Sequence, residues 1–114
     1  TAEARSLLGE ERLIGRSTSC IKQLQQAEAD GCDYLGVGPI NHTDTKPDLK
    51  PIGLNYVKEA SQSAKLPWFA IGGINVSNIT EVRKAGAKRI AVSGAIMNAN
   101  DPHSTTFQFL EAMQ

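Results

Sequence analysis

The sequence predicts an α/β fold of four consecutive βα units around a parallel sheet. Short apolar runs alternate with amphipathic segments from one end of the 114 residues to the other. The runs show no polar alternation, which is typical of parallel strands covered by helices. The chain also contains a weak internal repeat, because residues 31–37 resemble residues 86–92, each a helix stop followed by an apolar strand.

Glycines and capping residues divide these segments. We predict strands over residues 12–16, 33–38, 68–71 and 89–92. We predict helices over residues 1–8, 20–30 and 53–63, a fourth ending at Gly86, and a last one opened by Asp101 and Pro102. Ser17 or Ser19 is expected to cap the second helix, and Asn75 or Ser77 the fourth.

Four units are half of the eight in a (β/α)8 barrel, which needs roughly 200 residues or more. The sequence also opens in a helix with no strand before it. We therefore expect residues 1–114 to form the C-terminal half of a TIM barrel, with unpaired sheet edges. Inward side chains are expected to include Ile14, Leu35, Val37, Ile71 or their neighbours. Such a half should pair with a copy of itself or with a first half-barrel.

Composition excludes several classes of partner. Lys and Arg number 12 and so do Asp and Glu, which leaves no basic field for nucleic acid or anionic membranes. No apolar run approaches the roughly 20 residues of a membrane span, and no signal peptide is recognised. Cys20 and Cys32 lack metal-ligand spacing, and we expect both to be small buried side chains in a reduced, cytoplasmic protein.

The carboxyl ends of the predicted strands carry phosphate-binding features, and ligands of parallel βα folds bind at these ends. Gly72 and Gly73 precede a capped helix, where backbone amides can approach an anion closely. Ser93 and Gly94 add amides and a hydroxyl at the next strand. In the loop of residues 39–51, two threonine hydroxyls and a lysine can bind one phosphate. An ordinary glycine turn and a solvated Thr/Asp turn are the structural alternatives.

The motifs together resemble those of a known family in order and spacing: Ile14-Gly-Arg-Ser-Thr18, Asp33-Tyr-Leu-Gly-Val-Gly-Pro39, Thr43-Asp-Thr-Lys-Pro47, Ala70-Ile-Gly-Gly-Ile74 and Ala91-Val-Ser-Gly-Ala-Ile96. From about Ile14 to Pro102, the chain resembles thiamine-phosphate synthases. The resemblance implies a (β/α)8-barrel transferase of thiamine biosynthesis. Such an enzyme joins hydroxymethylpyrimidine diphosphate to thiazole phosphate, gives thiamine phosphate and pyrophosphate, and uses Mg²⁺.

The resemblance also implies roles for individual residues. Ser17 resembles the serine that contacts the diphosphate of the pyrimidine substrate. Lys46 resembles the lysine that binds the same substrate and stabilises the departing pyrophosphate. Thr43 and Thr45 resemble the pair that holds the thiazole phosphate.

Backbone amides complete the implied phosphate site. Gly73 resembles the glycine whose amide binds the thiazole phosphate, and Ser93 and Gly94 stand at positions that do the same. In the commoner family pattern the last pair is Val-Ser, so the hydroxyl is displaced by one residue here. The family's Gln-x-Arg-x-Lys motif and its Mg²⁺-binding aspartates belong to the first-half strands. No metal ligand is therefore expected in this chain, which alone should bind thiazole phosphate weakly without turnover.

Two alternatives to a synthase stay open. One is a non-catalytic phosphate-binding half-barrel or assembly module. The other is a thiazole tautomerase-like paralogue, which has a histidine two positions after the serine. Ser19 occupies that position here, and the Thr43 and Thr45 pair is intact, so both features favour the synthase. Arg16 is expected to face either a phosphate or a helix.

Overall fold

The computed structural model describes residues 1–41 and 51–114 and confirms the four βα units. All strand pairs in the sheet are parallel, and the strand order is β1-β2-β3-β4. The strands are β1 Gly15–Thr18, β2 Tyr34–Val37, β3 Trp68–Ile71 and β4 Ile90–Ala91. The helices are α1 Ala2–Leu8, α2 Ile21–Ala29, α3 Gly53–Ser63, α4 Ile79–Lys84, α5 Gly94–Met97 and α6 Pro102–Ala112.

Strand β1 begins three residues later than predicted, because side chains bind the backbone just before it. The guanidinium of Arg5 donates to the carbonyl of Arg12 at 2.7 Å. The N–H of Ile14 donates to a carboxylate oxygen of Asp33 at 2.8 Å, and Arg5 donates to the same oxygen at 2.8 Å. The ion pair therefore holds residues 12–14, together with the backbone N–H of Asp33, which donates to the Ile14 carbonyl at 2.8 Å.

The predicted helix caps also differ from the observed ones. Cys20, rather than Ser17 or Ser19, is the N-cap of α2, and the Ser19 hydroxyl donates instead to the side-chain oxygen of Gln23. Asn78 is the N-cap of α4. The side chain of Asn75 accepts from the N–H of Asn78 one turn earlier, so the predicted cap organises the turn and not the helix itself.

The two faces of the sheet have opposite environments. Leu35, Val37 and Ala70 are fully buried under the helices, together with Leu24 of α2 and Val57 of α3. The prediction that Leu35 and Val37 face the barrel interior is therefore wrong. Side chains alternate along a strand, so the neighbours of these residues form the inner face.

On the inner face, aromatic rings occupy the layer nearest the amino ends of the strands. Tyr34 and Phe69 pack edge to face, with ring centres 6.0 Å apart. The Tyr34 ring also covers Gly15, where a Cβ atom would collide with it. Ile71, one layer higher, is 45% exposed. Other exposed apolar side chains lie in or beside α1 and in α6, at the two open edges: Leu7, Leu8, Leu13, Phe107 and Leu110.

The remaining surface predictions have mixed outcomes. Cys32 is buried as predicted, but Cys20 is exposed, because the start of α2 lies at the surface. In the described part of the chain, no helix has both the length and the hydropathy needed to cross a bilayer.

Candidate functional site

The glycine- and serine-rich motifs meet at one edge of the sheet, because parallel strands all end on the same side. Ile71 of β3 pairs with Ala91 of β4. Gly73 and Ser93 each follow that pair by two residues, so the structure brings these two predicted site residues together. Ser17 of β1 pairs with Gly36 of β2 at the other side of the sheet.

The Gly72-Gly73 turn needs glycine at both positions. Their φ angles are +102° and +64°, in the left-handed region that side chains rarely adopt. A Cβ atom on Gly72 would lie 2.5 Å from the Cα of Pro39. The side-chain amide of Asn78 donates to the Gly73 carbonyl at 2.9 Å. Within residues 1–41 and 51–114, the Gly73 N–H has no hydrogen-bond acceptor, which leaves it available for an anion.

The residues that flank the loop of residues 42–50 lie beside this turn. The N–H of Ile40 donates to the carbonyl of Ile71 at 3.0 Å, which binds the residues after β2 to the end of β3. The N–H of Ile52 donates to the carbonyl of Pro39 at 2.8 Å, which joins the two flanks. The predicted Thr43, Thr45 and Lys46 lie outside the described residues.

Ser93 and Gly94 lie at the start of the short helix α5. Ser93 is the N-cap, and its side chain makes no capping hydrogen bond. No acceptor for the N–H groups of Ser93 and Gly94 is found among the described residues, and both residues follow the carboxyl end of β4. Helix α5 has four residues, so its dipole contributes little beyond these amides.

Ser17 is exposed on the inner face and pairs in register with Gly36. A Cβ atom on Gly36 would lie 3.7 Å from the Ser17 hydroxyl oxygen, which places this hydroxyl over β2. Ser17 lies on β1 and Ser93 follows β4, so the two residues belong to the opposite edges of the four-stranded sheet. The structure therefore separates Ser17 from the group formed by Gly73, Ser93 and Gly94.

The charged residues near the strands have structural roles. Arg16 donates to the Asp30 carboxylate at the end of α2, so it faces a helix rather than a phosphate. This hydrogen bond lowers the pKa of Asp30. At the amino end of β2, the Arg5 guanidinium, followed by the Ile14 N–H, lowers the pKa of Asp33.

Sequence reasoning missed one group close to the site. The hydroxyls of Thr18 and Tyr56 are buried together behind Ser17. The two residues are 38 positions apart, and neither belongs to a local motif that signals the contact. A tyrosine on the buried side of a predicted helix was the available signal.

A family profile described as thiamine monophosphate synthase matches residues 1–96. The chain belongs to this family. Among curated proteins, it is 67% identical over 114 residues to a thiamine-phosphate synthase of Prochlorococcus marinus strain MIT 9303. It is 54% identical over 112 residues to one of Synechococcus sp. strain CC9311.

Solved structures agree with the family assignment and the barrel prediction. A thiamine phosphate pyrophosphorylase from Pyrococcus furiosus matches 97% of the chain with a TM-score of 0.87 and 35% identity. A 3-hexulose-6-phosphate synthase matches 99% with a TM-score of 0.65 and 25% identity. The chain covers 52% of the former and 32% of each curated relative named above. It therefore spans about a third of the length of the curated family members that it matches.

Proposed function

We propose that this chain supplies the carboxyl-terminal half-site of a thiamine-phosphate synthase. The reaction joins hydroxymethylpyrimidine diphosphate to thiazole phosphate and releases pyrophosphate. The family membership supports this activity. The observation that carries the proposal is the register of β3 and β4, which groups Gly73 with Ser93 and Gly94 at the carboxyl edge of the sheet.

The first proposed subsite holds the thiazole phosphate. Backbone N–H groups of Gly73, Ser93 and Gly94 donate to its oxygens, and the hydroxyls of Thr43 and Thr45 complete the binding. Backbone amides at glycine positions suit a phosphate, because the anion can approach the backbone without meeting a Cβ atom. The amide positions at Ser93 and Gly94 keep this role although the serine is displaced by one residue.

The second proposed subsite holds the diphosphate, with Ser17 and Lys46 as its contacts. The bond between the pyrimidine methylene carbon and the diphosphate oxygen breaks, and the pyrophosphate keeps the electron pair. The thiazole nitrogen then attacks the resulting pyrimidine cation. The Lys46 ammonium offsets the charge that develops on the leaving group, and the reaction requires no acid/base pair on the enzyme.

Mg²⁺ is the cofactor that the family resemblance implies. Within residues 1–41 and 51–114, no three His, Cys, Asp or Glu side chains come together as possible ligands. Asp30 and Asp33 are bound to arginines away from the carboxyl edge. The described residues therefore do not fit a magnesium site. Its ligands are proposed to lie on other strands of the barrel.

The test is the Lys46→Ala variant in a complete barrel that contains this chain. Loss of a charge that acts on the transition state should lower kcat by roughly 10²–10³, with a much smaller rise in the KM of thiazole phosphate. Lys50→Ala, in the same loop, is the matched control and should retain the wild-type kcat. An unchanged kcat in Lys46→Ala would remove this lysine from its role. A wild-type barrel that binds thiazole phosphate without releasing pyrophosphate would favour the non-catalytic alternative.

A further inference from the structure

Two buried hydroxyls behind Ser17 form a short hydrogen-bonded chain. Thr18 is 2% exposed and Tyr56 is 4% exposed. The Thr18 hydroxyl donates to the Gly36 carbonyl at 2.8 Å and is hydrogen-bonded to the Tyr56 hydroxyl. A threonine hydroxyl has one proton, and here Gly36 receives it. Tyr56 is therefore the donor to Thr18, and the chain runs from Tyr56 through Thr18 to Gly36.

Two members of this hydroxyl chain adjoin Ser17 of the proposed diphosphate subsite. Thr18 follows Ser17 on β1, and Gly36 is the register partner of Ser17 on β2. Tyr56 lies in the first turn of α3, the helix that follows residues 42–50. The start of that helix is bound to the residues after β2 through the Gly53 N–H, which donates to the Ile40 carbonyl at 3.0 Å. The hydroxyls thus connect the strand of Ser17 to helix α3.

The surroundings keep this connection fixed. The two hydroxyls lie within the apolar core beneath α2 and α3, where Leu24 and Val57 are fully buried. A hydroxyl there has no water to replace its partner, so its direction is set by the protein acceptor. Burial also raises the pKa of Tyr56, which keeps its hydroxyl protonated and able to donate at neutral pH.

We propose that Tyr56 and Thr18 are positioning residues for the proposed synthase reaction. Their hydroxyl chain holds the strand of Ser17 against α3 and thereby fixes the position of the Ser17 hydroxyl toward the diphosphate. The inference rests on the proposed function. Small displacements of aligned groups are costly in rate, about 100-fold for 1 Å, while the affinity for the other substrate need not change.

The main variant is Tyr56→Phe in a complete barrel that contains residues 1–114. Thr18 keeps its hydrogen bond to Gly36 in this variant, so no buried donor loses its acceptor. We expect kcat to fall about 10- to 100-fold, with the KM of thiazole phosphate within about threefold of wild type. Urea unfolding of the same sample gives the folded fraction under assay conditions.

Variants at Thr18 separate positioning from packing. Thr18→Ser retains the hydroxyl and should retain kcat, whereas Thr18→Val should lose as much activity as Tyr56→Phe. The double variant should be no slower than either single one, because all interrupt one chain. Tyr34→Phe is the matched control. Its ring lies in the amino-terminal layer, its hydroxyl has no hydrogen bond among the described residues, and wild-type kinetics are expected.

The outcomes distinguish this inference from the proposed function. Wild-type kcat in Tyr56→Phe would overturn the positioning role, and so would a loss of activity that the folded fraction fully explains. Additive losses in the double variant would also overturn it. A wild-type barrel without synthase turnover would instead overturn the proposed function itself.

Discussion

The uncovered inner face of the sheet predicts that the 114-residue chain alone pairs with a second copy. In the part of the chain that the structure describes, strands β1 and β4 each pair with a single strand, and Ile71 is 45% exposed on the inner face. Fully burying an isoleucine side chain stabilises a protein by about 1.5–3 kcal/mol. Covering the exposed part of Ile71 would therefore add roughly 0.7–1.4 kcal/mol. A symmetric pair gains this twice, which corresponds to about a 10- to 100-fold change in Kd from this residue alone.

Ile71→Glu tests the pairing, because the monomer tolerates a half-exposed carboxylate and the paired face does not. An unpaired buried carboxylate costs several kcal/mol, so this variant should sediment as a monomer at micromolar concentration. Val76→Glu is the matched control. Val76 is also 45% exposed but lies in the turn after β3, so this variant should remain paired like the wild type.

Sedimentation equilibrium decides between the possibilities. A wild-type chain that is monomeric at micromolar concentration and unfolds cooperatively would refute the reasoning. Equal effects of the two glutamates would also refute it, because the inner face would then have no special part in the association.

Two further predictions concern stability. Arg5 and the Ile14 N–H hold the pKa of Asp33 below its ordinary value of 3.8. The ionised carboxylate therefore adds to the free energy of unfolding above about pH 4, and this contribution is lost as the pH falls through the lowered pKa. Asp33→Asn should therefore lower Tm at neutral pH and converge with wild type in acid, whereas a gap independent of pH would contradict the ion pair. A Cβ atom on Gly38 would collide with the last carbonyl of β3, so Gly38→Ala should cost about 1–3 kcal/mol in urea unfolding. Gly36→Ala, whose Cβ would meet its nearest atom at 3.6 Å, should cost much less, and equal costs would show that the β2–β3 approach is not tight.

Elements with local signals were predicted well from the sequence. The predicted bounds of β3 and α3 match the structure, and Gly9 and Gly31 end their helices with φ angles of +83° and +87°. The start of β1 was not predictable in this way. It depends on Arg5 and Asp33, which are 28 residues apart and form a single ion pair only after the chain has folded.

Which side chains of each strand lie on the inner face was harder to predict, for a different reason. A strand that is apolar at every position gives no alternation, so Leu35 and its neighbour Tyr34 were equally compatible with the inner face. The side on which α2 and α3 pack decides the matter, and Leu35 lies under them. At the carboxyl edge, the sequence motifs were enough to predict that Gly73 and Ser93 lie on neighbouring strand ends, because the parallel register alone brings them together.

Glycine at position 36 has an explanation in the proposed site and none in the packing of the chain. A Cβ atom there would make ordinary van der Waals contact with Ser17, whereas at Gly38 it would collide with the backbone of β3. Strand β2 lies between the proposed diphosphate subsite on β1 and the proposed phosphate subsite on β3 and β4. Gly36 and Gly38 leave the inner face without side chains at and just beyond the carboxyl end of that strand, so the space between the proposed subsites is open where the proposed reaction brings its two substrates together. The fold requires one of these glycines, and the proposed reaction accounts for the other.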